Sequence, residues 1–354
     1  MKKLNFIKNL TKKQLVILIV AVIVLIGCGV WAFFALQKKE TKTQQPTTTT
    51  VKTEKPKAPE KFYSALSGVE VASAADVNKP VIGSIIENSP NARPQSGLFD
   101  AEVVFEAIAE GGVTRFLALY QQNQPALIGP VRSLRGYYID WAGGFQASIA
   151  HVGGSGDALA RIRDGQHRDM DQFFNAGSFW RARDRYAPHN VYTNFENLSS
   201  LNNSKGWSNS NFEGFKFKND KKSSTPNATQ ISITMSGPLY DSTFSYNADC
   251  NCYLRNQAGA PHLDREKGQI SPKNVVALRM NINSRDGYYS DYVTISSGTA
   301  VVFRDGVAEE ITWEKSSENS PLILKDSAGK IVQLNRGQTW LVAVPTSGGA
   351  ISYQ

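Results

Sequence analysis

The sequence predicts an α+β protein in which an N-terminal mixed α/β domain and a smaller β-rich domain follow a membrane anchor. Residues 15–36 form an almost unbroken apolar run. Strand-like and helix-like patterns alternate over 68–205, whereas short strand-like runs separated by turn residues dominate over 231–354. Residues 206–230 end in the polar stretch FKNDKKSSTPNATQ and are the predicted linker between the two domains.

The apolar run at 15–36 predicts a transmembrane helix, because about 20 residues at about 1.5 Å each cross a hydrocarbon core of about 30 Å. The basic segment 1–14 favours a cytoplasmic N-terminus, which makes the chain a single-pass protein of the cell membrane with its C-terminal domains outside. Leu25–Cys28 also resembles a lipobox, and the alternative is a lipoprotein anchored at Cys28. Residues 37–67 are rich in Thr, Lys and Pro and predict a disordered tether.

The positive charge of the chain is confined to its N-terminal part. The 354 residues contain 39 Lys and Arg against 31 Asp and Glu, a formal net charge of +8. Residues 1–61 hold 12 of the basic and 3 of the acidic residues, so residues 62–354 are close to neutral. A nucleic-acid-binding protein would concentrate its basic residues in the folded part. We therefore predict no nucleic-acid partner.

Four apolar runs in the first domain predict strands, and two segments among them carry helix signals. Ser133 is the predicted N-cap of a helix that begins in LRGYYIDWA. The segment GGSGDALARI predicts a glycine turn that leads into a second helix. The predicted strands are 80–87, 102–109, 114–120 and 146–152.

The second domain predicts a small barrel or sandwich with Trp313 and Trp340 in its core. Cys250 and Cys252 are one residue apart, and we interpret them as two free or loosely oxidised thiols in a loop. The predicted strands are 231–235, 244–248, 274–282, 292–295, 299–303, 331–334 and 340–344.

Several motifs occur along the chain in a characteristic order. They are NARPQSGLFDAEVVFEAIAEGGVTRFLALY, IGPVRSLR, HVGGSG, APHNVY, GAPHLDREKG and GQTWLVAVP. Together they resemble the YerB-like family of bacterial cell-envelope proteins, whose two domains are domains of unknown function. The resemblance covers about 68–346 and implies a membrane-tethered extracytoplasmic protein with an α/β domain and a smaller β-rich domain. It implies no reaction, and many members of the family are lipoproteins.

The basic residues of the first domain are of one type. Between Pro80 and Ser204 the chain has ten arginines and no lysine. The planar guanidinium donates two parallel hydrogen bonds to a carboxylate or a phosphate, whereas lysine offers a hydrated point charge. Twelve acidic residues in the same span offer structural ion pairs to some of these arginines. The bias nevertheless favours a site that needs the planar donor group of arginine to recognise a carboxylate or a phosphate.

The strongest candidates for this anion site are Arg132 and Arg135. They flank Ser133 at the predicted strand-to-helix turn, where the N–H groups of a helix N-terminus favour an anion. Arg115 begins the neighbouring strand, and ligands of open α/β sheets bind at the carboxyl ends of strands. The alternative is structural pairing of these arginines. The partners in that case are Asp140 and Glu106.

A second candidate element is the glycine turn after the strand that ends at His151. The N–H groups around Gly153, Gly154 and Ser155 can form an anion nest, and His151 is a candidate ligand contact. The alternative is that the glycines only permit positive φ and that His151 is a satisfied core residue. We expect the two turns to surround one anionic group. Further candidates for the same cleft are Arg181 and His189.

Three functions follow from these patterns. The first is binding of an anionic envelope polymer or lipid, such as a phosphate-bearing glycopolymer, in the arginine-rich cleft. The second is a phosphotransferase or hydrolase that uses Asp100, Glu106 and the arginines, with a divalent ion if one is needed. The third is an adaptor that docks other envelope proteins through an exposed apolar patch.

No catalytic residue, cofactor or metal site is assigned from the sequence. The tight turn between His151 and Ser155 is unsuited to the geometry of a catalytic triad. The four histidines include no pair at the spacing of H-E-x-x-H.

Overall fold

The structure is a computed structural model that describes residues 11–37, 60–285 and 288–354. The predicted cytoplasmic segment up to residue 10 and the predicted tether from 38 to 59 lie outside the described residues. The chain divides into two compact units, Met1–Pro59 and Glu60–Gln354.

The first unit contains a long apolar helix, α1 (Lys12–Gln37). Its 26 residues extend over about 39 Å at 1.5 Å per residue. The stretch Lys12–Phe34 is long and apolar enough to cross a membrane, by its length and composition. Cys28 lies exposed within α1, which continues for more than two turns beyond it.

The second unit is mostly β-sheet with few, short helices. The helices are α2 (Ala74–Val77), α3 (Gly136–Gly143), α4 (Gly156–Ile162) and α5 (Phe195–Ser204). The strands of its first part are β1 (Phe62–Tyr63), β2 (Glu70–Val71), β3 (Ile82–Glu87), β4 (Val103–Ile108), β5 (Thr114–Tyr120), β6 (Ser148–His151), β7 (Asp169–Asp171), β8 (Trp180–Arg181), β9 (Val191–Tyr192) and β10 (Lys216–Lys218).

The remaining strands follow residue 229. They are β11 (Gln230–Thr234), β12 (Ser242–Asn247), β13 (Cys252–Gln257), β14 (Ala260–Pro261), β15 (Leu263–Asp264), β16 (Gly268–Gln269), β17 (Asn274–Met280), β18 (Ile282–Arg285), β19 (Tyr289–Tyr292), β20 (Ser296–Arg304), β21 (Val307–Lys315), β22 (Ile323–Lys325), β23 (Gln333–Asn335), β24 (Thr339–Pro345) and β25 (Ala350–Tyr353).

A ten-stranded sheet runs through both predicted domains in the order β22-β21-β20-β17-β24-β4-β5-β3-β6-β7. At its centre β24 pairs in parallel with β17 on one side and with β4 on the other. All seven residues of β24 and all six of β4 are buried, which is typical of central strands covered on both faces. The two predicted domains therefore share one hydrophobic core.

Different layers cover the two faces of β4. Neighbouring residues of a strand point to opposite faces. Phe105 stacks on Trp141 of α3, with ring centroids 5.0 Å apart. Glu106 instead binds Arg255 of the second, five-stranded sheet β14-β13-β12-β11-β25. Helix α3 thus covers one face and the five-stranded sheet covers the other.

Seven strands of the large sheet run in the same direction: β3, β4, β6, β7, β17, β21 and β24. Their carboxyl ends form one edge, where Glu87, His151 and Asp171 lie. Strand β5 is antiparallel to β3, so its end lies at the opposite edge of the sheet. Ser64 Oγ, near the start of the unit, donates a 3.0 Å hydrogen bond to Oε1 of Gln121, the residue after β5. The chain therefore enters the unit at that opposite edge. The carboxyl edge therefore lies opposite the edge where the N-terminal segment of this unit packs.

Two segments that we expected to be irregular are packed. Residues 60–67 of the predicted tether include β1 and bury Leu66 completely. Residues 206–230 of the predicted linker contain β10, and Phe212 packs edge-on against Phe145 with centroids 5.6 Å apart. Both segments carry large apolar side chains, whose burial outweighs the polar residues around them.

The predicted N-cap at Ser133 is not observed. Helix α3 begins at Gly136, and Arg135 occupies its N-cap position in extended geometry. The segment before it is held extended by backbone hydrogen bonds, for example from Arg132 N to Ile85 O at 2.8 Å. These bonds leave Ser133 no freedom to start a helical turn.

The interpretation of Cys250 and Cys252 as thiols differs from the structure, in which they form a disulfide. They lie where β12 turns into β13, and Asn251 between them has a positive φ of 47°. This turn brings the two Cα atoms to 5.2 Å, which is within the range for a disulfide.

Candidate functional site

An open cleft of about 700 Å³ lies near the carboxyl edge of the large sheet. Three chain segments form it: the loop after β3, the loop 182–190 between β8 and β9, and the turn between β15 and β16. We call it the arginine cleft. Its principal lining residues are Arg93, Asp184, Arg185, Tyr186, His189 and Arg265.

Two guanidinium groups of the cleft are held by neutral partners. Arg93 Nε donates to Asn88 Oδ1 at 3.1 Å and its Nη2 to Asn88 O at 2.9 Å. Arg185 donates to the carbonyl groups of Asn91 and Pro94. In the part of the chain that the structure describes, no carboxylate lies within ion-pairing distance of either group. Burial and the charge of a second arginine also lower the pKa of Arg93. These two charges are oriented but not neutralised.

The third arginine of the cleft has a carboxylate partner. Arg265 Nη2 lies 2.5 Å from Asp184 Oδ2, and both side chains are more than one third exposed. Hydrogen bonding to Arg265 lowers the pKa of Asp184. An adjoining depression of about 400 Å³ contains Trp180 and Arg183, and Arg183 has no ion-pair partner among the described residues. The cleft and its border thus carry more positive than negative charge.

Two predicted site residues, Arg132 and His189, are connected through Glu87. Glu87 lies at the carboxyl end of β3, and its side chain is only 4% exposed. His189 Nδ1 is 2.9 Å from Glu87 Oε1, and Ser89 Oγ donates to the same oxygen at 2.8 Å. Arg132 Nε lies 3.2 Å from Glu87 Oε2. Arg132 does not line the cleft, whereas His189 does.

The other two candidate arginines share one carboxylate. Arg115 and Arg135 both bind Glu110, and all three groups are largely buried. Burial raises the pKa of Glu110, but hydrogen bonds and charge from Arg115 and Arg135 outweigh it and lower the pKa to about 2. Neither arginine lines the arginine cleft. Arg115 and Arg135 are therefore in structural ion pairs, but their partner is Glu110 and not Asp140 or Glu106.

The two predicted turns lie next to each other, as we expected. Leu134 N donates to Gly153 O at 2.9 Å, and Ser155 N donates to Leu134 O at 3.2 Å. The anionic group at the glycine turn is the side-chain carboxylate of Asp171 and not a bound ligand. Its Oδ1 accepts a 3.1 Å hydrogen bond from Gly153 N. Gly153 has a positive φ of 59°, and Gly154 packs against Leu134. The predicted nest is thus occupied by the fully buried Asp171.

His151 has no exposed surface and both of its ring nitrogens are engaged. Nδ1 lies 2.8 Å from Gly153 O, and Nε2 lies 2.9 Å from Asp169 Oδ1. The structure therefore gives His151 a core role rather than the ligand contact that we expected. Ser155 is the N-cap residue of α4 without a side-chain capping bond.

Arg181 borders the depression beside the cleft. Its Nη1 donates to Asn190 Oδ1 at 2.8 Å, which links the two ends of the loop 182–190. Arg181 and His189 are therefore the candidate residues that the structure brings to this surface.

The carboxylates named for an enzyme do not meet in the cleft. Glu106 is fully buried and binds Arg255. Asp100 precedes β4 and lies at the opposite edge of the sheet, where burial raises its pKa. Within the described ranges, no group of three or more His, Cys, Asp or Glu side chains is arranged to hold a metal ion.

Sequence reasoning missed four residues of this site: Glu87, Arg93, Arg185 and Arg265. Glu87 ends the apolar run VIGSIIE, and a lone carboxylate at the end of a buried strand was the available signal. Arg93 and Arg185 were two of the ten arginines, and no local pattern distinguished them from the arginines in ion pairs. Arg265 belongs to the second half of the chain, and only the tertiary fold brings it to the cleft.

Comparisons with known proteins agree with this fold. Residues 66–208 match the family model "Protein of unknown function (DUF3048) N-terminal domain", and residues 231–341 match the corresponding C-terminal domain. YerB of Bacillus subtilis (strain 168), described as a candidate lipoprotein, is 30% identical over 82% of this chain and 88% of its own length. The crystal structure of the Bacillus subtilis YerB protein aligns with a TM-score of 0.73 at 27% identity, covering 82% of this chain and 99% of the other. These matches confirm the resemblance to the YerB-like family.

Proposed function

Because the chain belongs to the YerB-like (DUF3048) family, whose function is not established, we propose a role from its own geometry. The protein binds an anionic component of the cell envelope, a phosphate-bearing glycopolymer, in the arginine cleft. The observation that carries this proposal is the pair Arg93 and Arg185, two fixed guanidinium groups without a carboxylate partner among the described residues.

Charge and shape of the cleft support a phosphate-bearing ligand. A guanidinium matches the geometry of a phosphate oxygen pair, and charge-assisted hydrogen bonds are about twice as strong as neutral ones. The cleft volume of about 700 Å³ lies within the range of ligand pockets. Its open form suits one segment of a longer polymer.

Aromatic side chains favour a glycopolymer over a bare phosphate. Tyr186 in the cleft is 91% exposed, and Trp180 in the adjoining depression is 37% exposed. Flat aromatic faces can pack on the apolar faces of sugar or polyol units while the arginines bind the phosphates.

We also propose that α1 holds the protein in the membrane as an uncleaved, single-pass anchor with Glu60–Gln354 outside. The apolar helix continues beyond Cys28 to Gln37, whereas a lipidated cysteine is followed by a polar segment. Lipidation at Cys28 is the alternative that the relative's description favours. Both anchors place the folded unit on the same side of the membrane.

The proposal is tested by titrating the folded unit, residues 60–354, which is compact and has its own core. The probes are poly(glycerol phosphate), inorganic phosphate, and vesicles with and without phosphatidylglycerol, at two salt concentrations. We expect saturable, salt-sensitive binding of the polymer, weakened at least tenfold by Arg185→Gln/Arg265→Gln, since each lost charged hydrogen bond is worth about 1.5–3 kcal/mol.

The matched control is Lys221→Gln/Lys222→Gln, which removes the same charge from two exposed residues outside the arginine cleft. Its affinity for the polymer should equal that of the unmodified protein. Equal affinity of the cleft variant and the unmodified protein would contradict the proposal. Preference for vesicles over the polymer would replace the glycopolymer by a lipid headgroup.

A further inference from the structure

His189 differs from the other three histidines of the chain in its hydrogen bonding. His151, His167 and His262 each have both ring nitrogens within hydrogen-bonding distance of protein groups. His189 uses only Nδ1, which lies near Glu87 Oε1 and Ser89 Oγ. In the described part of the chain, Nε2 of His189 has no protein partner. This ring lines the arginine cleft and is 21% exposed.

We propose that the protein hydrolyses a phosphodiester bond of the ligand held in the arginine cleft. His189, oriented by Glu87, is the general acid–base catalyst of this reaction. This inference rests on the proposed binding function and adds an activity to it. In this assignment His189 is the catalytic residue and Glu87 is a positioning residue. The substrate class is a phosphodiester of a polyol or sugar.

The surroundings of Glu87 determine which nitrogen of His189 carries the proton. Arg132 Nε lies 3.2 Å from Glu87 Oε2, and Ser89 Oγ donates to Oε1. An ionised carboxylate only accepts hydrogen bonds, so the nitrogen that faces it, Nδ1, must be the donor. Nε2 of the neutral ring is then the basic nitrogen, and it belongs to the ring that lines the cleft. A carboxylate that fixes the tautomer of a histidine has the same role in other acid–base sites.

The reaction balances with water as the second reactant. His189 Nε2 takes a proton from a water molecule whose oxygen forms the new bond to phosphorus. The bond from phosphorus to the leaving alkoxide oxygen breaks, and this oxygen receives the proton from the imidazolium. The products are a phosphomonoester and an alcohol, without any change of oxidation state. The guanidinium groups of Arg93 and Arg185 stabilise the negative charge on the phosphoryl oxygens.

The test measures turnover and binding on the same protein, residues 60–354. The substrates are poly(glycerol phosphate), with release of glycerol phosphate as the readout, and bis(4-nitrophenyl) phosphate, with release of 4-nitrophenolate. We expect His189→Asn to lower kcat at least 100-fold while the affinity for the polymer stays unchanged. Asparagine retains a donor near the position of Nδ1 and lacks a counterpart of Nε2.

Two further variants separate catalysis from folding. His167→Asn changes a histidine outside the arginine cleft that binds Asp164 and Glu318, and kcat should stay within twofold. Glu87→Gln should lower kcat strongly with an unchanged KM, a split that a merely structural role would not produce. Circular dichroism of each variant verifies the fold, and His189→Asn alone decides the case if Glu87→Gln does not fold.

Two results would overturn the acid–base role. One is polymer binding by the unmodified protein without turnover of either substrate above the buffer rate. The other is an unchanged kcat in His189→Asn. In both cases the binding function stands. Absence of polymer binding by the unmodified protein would overturn the binding function and this inference together.

Discussion

Arg255 and Glu106 form an ion pair with no exposed surface. Arg255 Nη2 donates to both oxygens of Glu106, at 3.0 and 2.8 Å, and the guanidinium lies 4.8 Å from the centre of the Trp340 ring. Trp340 Nε1 donates to Glu106 Oε2 at 3.0 Å. Burial and the charge of Arg255 hold the pKa of His262 well below its usual range, so this neighbour adds no second charge. The pair is the main electrostatic link between the two sheets.

Removal of one partner should therefore be costly. Glu106→Gln leaves the charge of Arg255 buried without a counterion, and we expect the free energy of unfolding to fall by about 3–5 kcal/mol. Urea denaturation measures this change. The control is Glu314→Gln, which breaks an exposed pair with Lys325 and should change stability by less than about 1 kcal/mol. Similar losses in the two variants would show that the buried pair is unimportant.

Glu102 is a second buried carboxylate, at the edge of the sheet that faces the tether. Burial raises its pKa to about 7, although the backbone N–H groups of Gln121 and Gln122 donate to it and act in the opposite direction. Between the ordinary value of 4.5 and pH 7 the folded protein thus binds more protons than the unfolded chain. Stability from this group falls as the pH rises through that window.

Glu102→Gln should remove this pH dependence. Glutamine resembles the protonated carboxyl, so the variant should match the unmodified protein near pH 4.5 and exceed its stability at pH 8. The difference at pH 8 is at most about 3 kcal/mol. Unfolding curves at several pH values measure it, with the exposed Glu310→Gln as the control. Parallel pH profiles for the protein and Glu102→Gln would refute this assignment.

At the scale of elements, strand β24 connects the two parts of the chain that match separate family models. It pairs in parallel with β17 from the second part and with β4 from the first. Trp340 on β24 packs edge-on against Phe116 of β5, with ring centroids 5.3 Å apart. Without the second part, β4 would have an unpaired edge and an uncovered apolar face.

The first part alone should therefore not fold cooperatively. We expect the fragment 60–230 to show no cooperative thermal transition and poor dispersion of its amide NMR signals. The fragment 60–354 should show both features of a folded protein. A cooperative transition in the shorter fragment would mean that its core does not need β24.

Local sequence patterns predicted the bounds of individual strands better than they predicted which strands pair with each other. β5 was predicted with the bounds that the structure shows, because most of its seven residues are apolar or β-favouring and clear turn signals flank them. The pairing of β4 with β24 joins residues more than 230 positions apart, for which no local pattern exists. The turns at Arg132 and Gly153 were expected to be neighbours, and backbone hydrogen bonds from Leu134 N to Gly153 O and from Val152 N to Arg132 O join them.

The sequence placed the predicted anion site at Arg115, Arg132 and Arg135, none of which lines the arginine cleft. Composition shows that arginines are abundant, whereas the choice between an ion pair and a free guanidinium depends on tertiary contacts. Arg115 and Arg135 form ion pairs with Glu110, and Arg132 forms one with Glu87. Arg93 and Arg185, which have no carboxylate partner among the described residues, are instead in loops of the cleft, where the sequence has no regular pattern.

At the scale of the whole folded unit, the N-terminal segment around Ser64 and the arginine cleft are near opposite edges of one sheet. The chain enters beside the end of β5, whereas the cleft lies near the carboxyl end of β3. Strands of six or seven residues separate these edges by about 20 Å at 3.3 Å per residue. The cleft is therefore accessible to an extended polymer without passing the attachment point of the tether.

The most direct measurement of the binding claim is an NMR titration of residues 60–354 with glycerol-phosphate oligomers, following the arginine Nε–Hε signals. We expect the signals of Arg93, Arg185 and Arg265 to move together and to saturate at one ligand concentration. Those of Arg304 and Arg336, outside the cleft, should stay in place. Shifts confined to residues outside the cleft, or shifts without saturation, would contradict an anion-binding function of the arginine cleft.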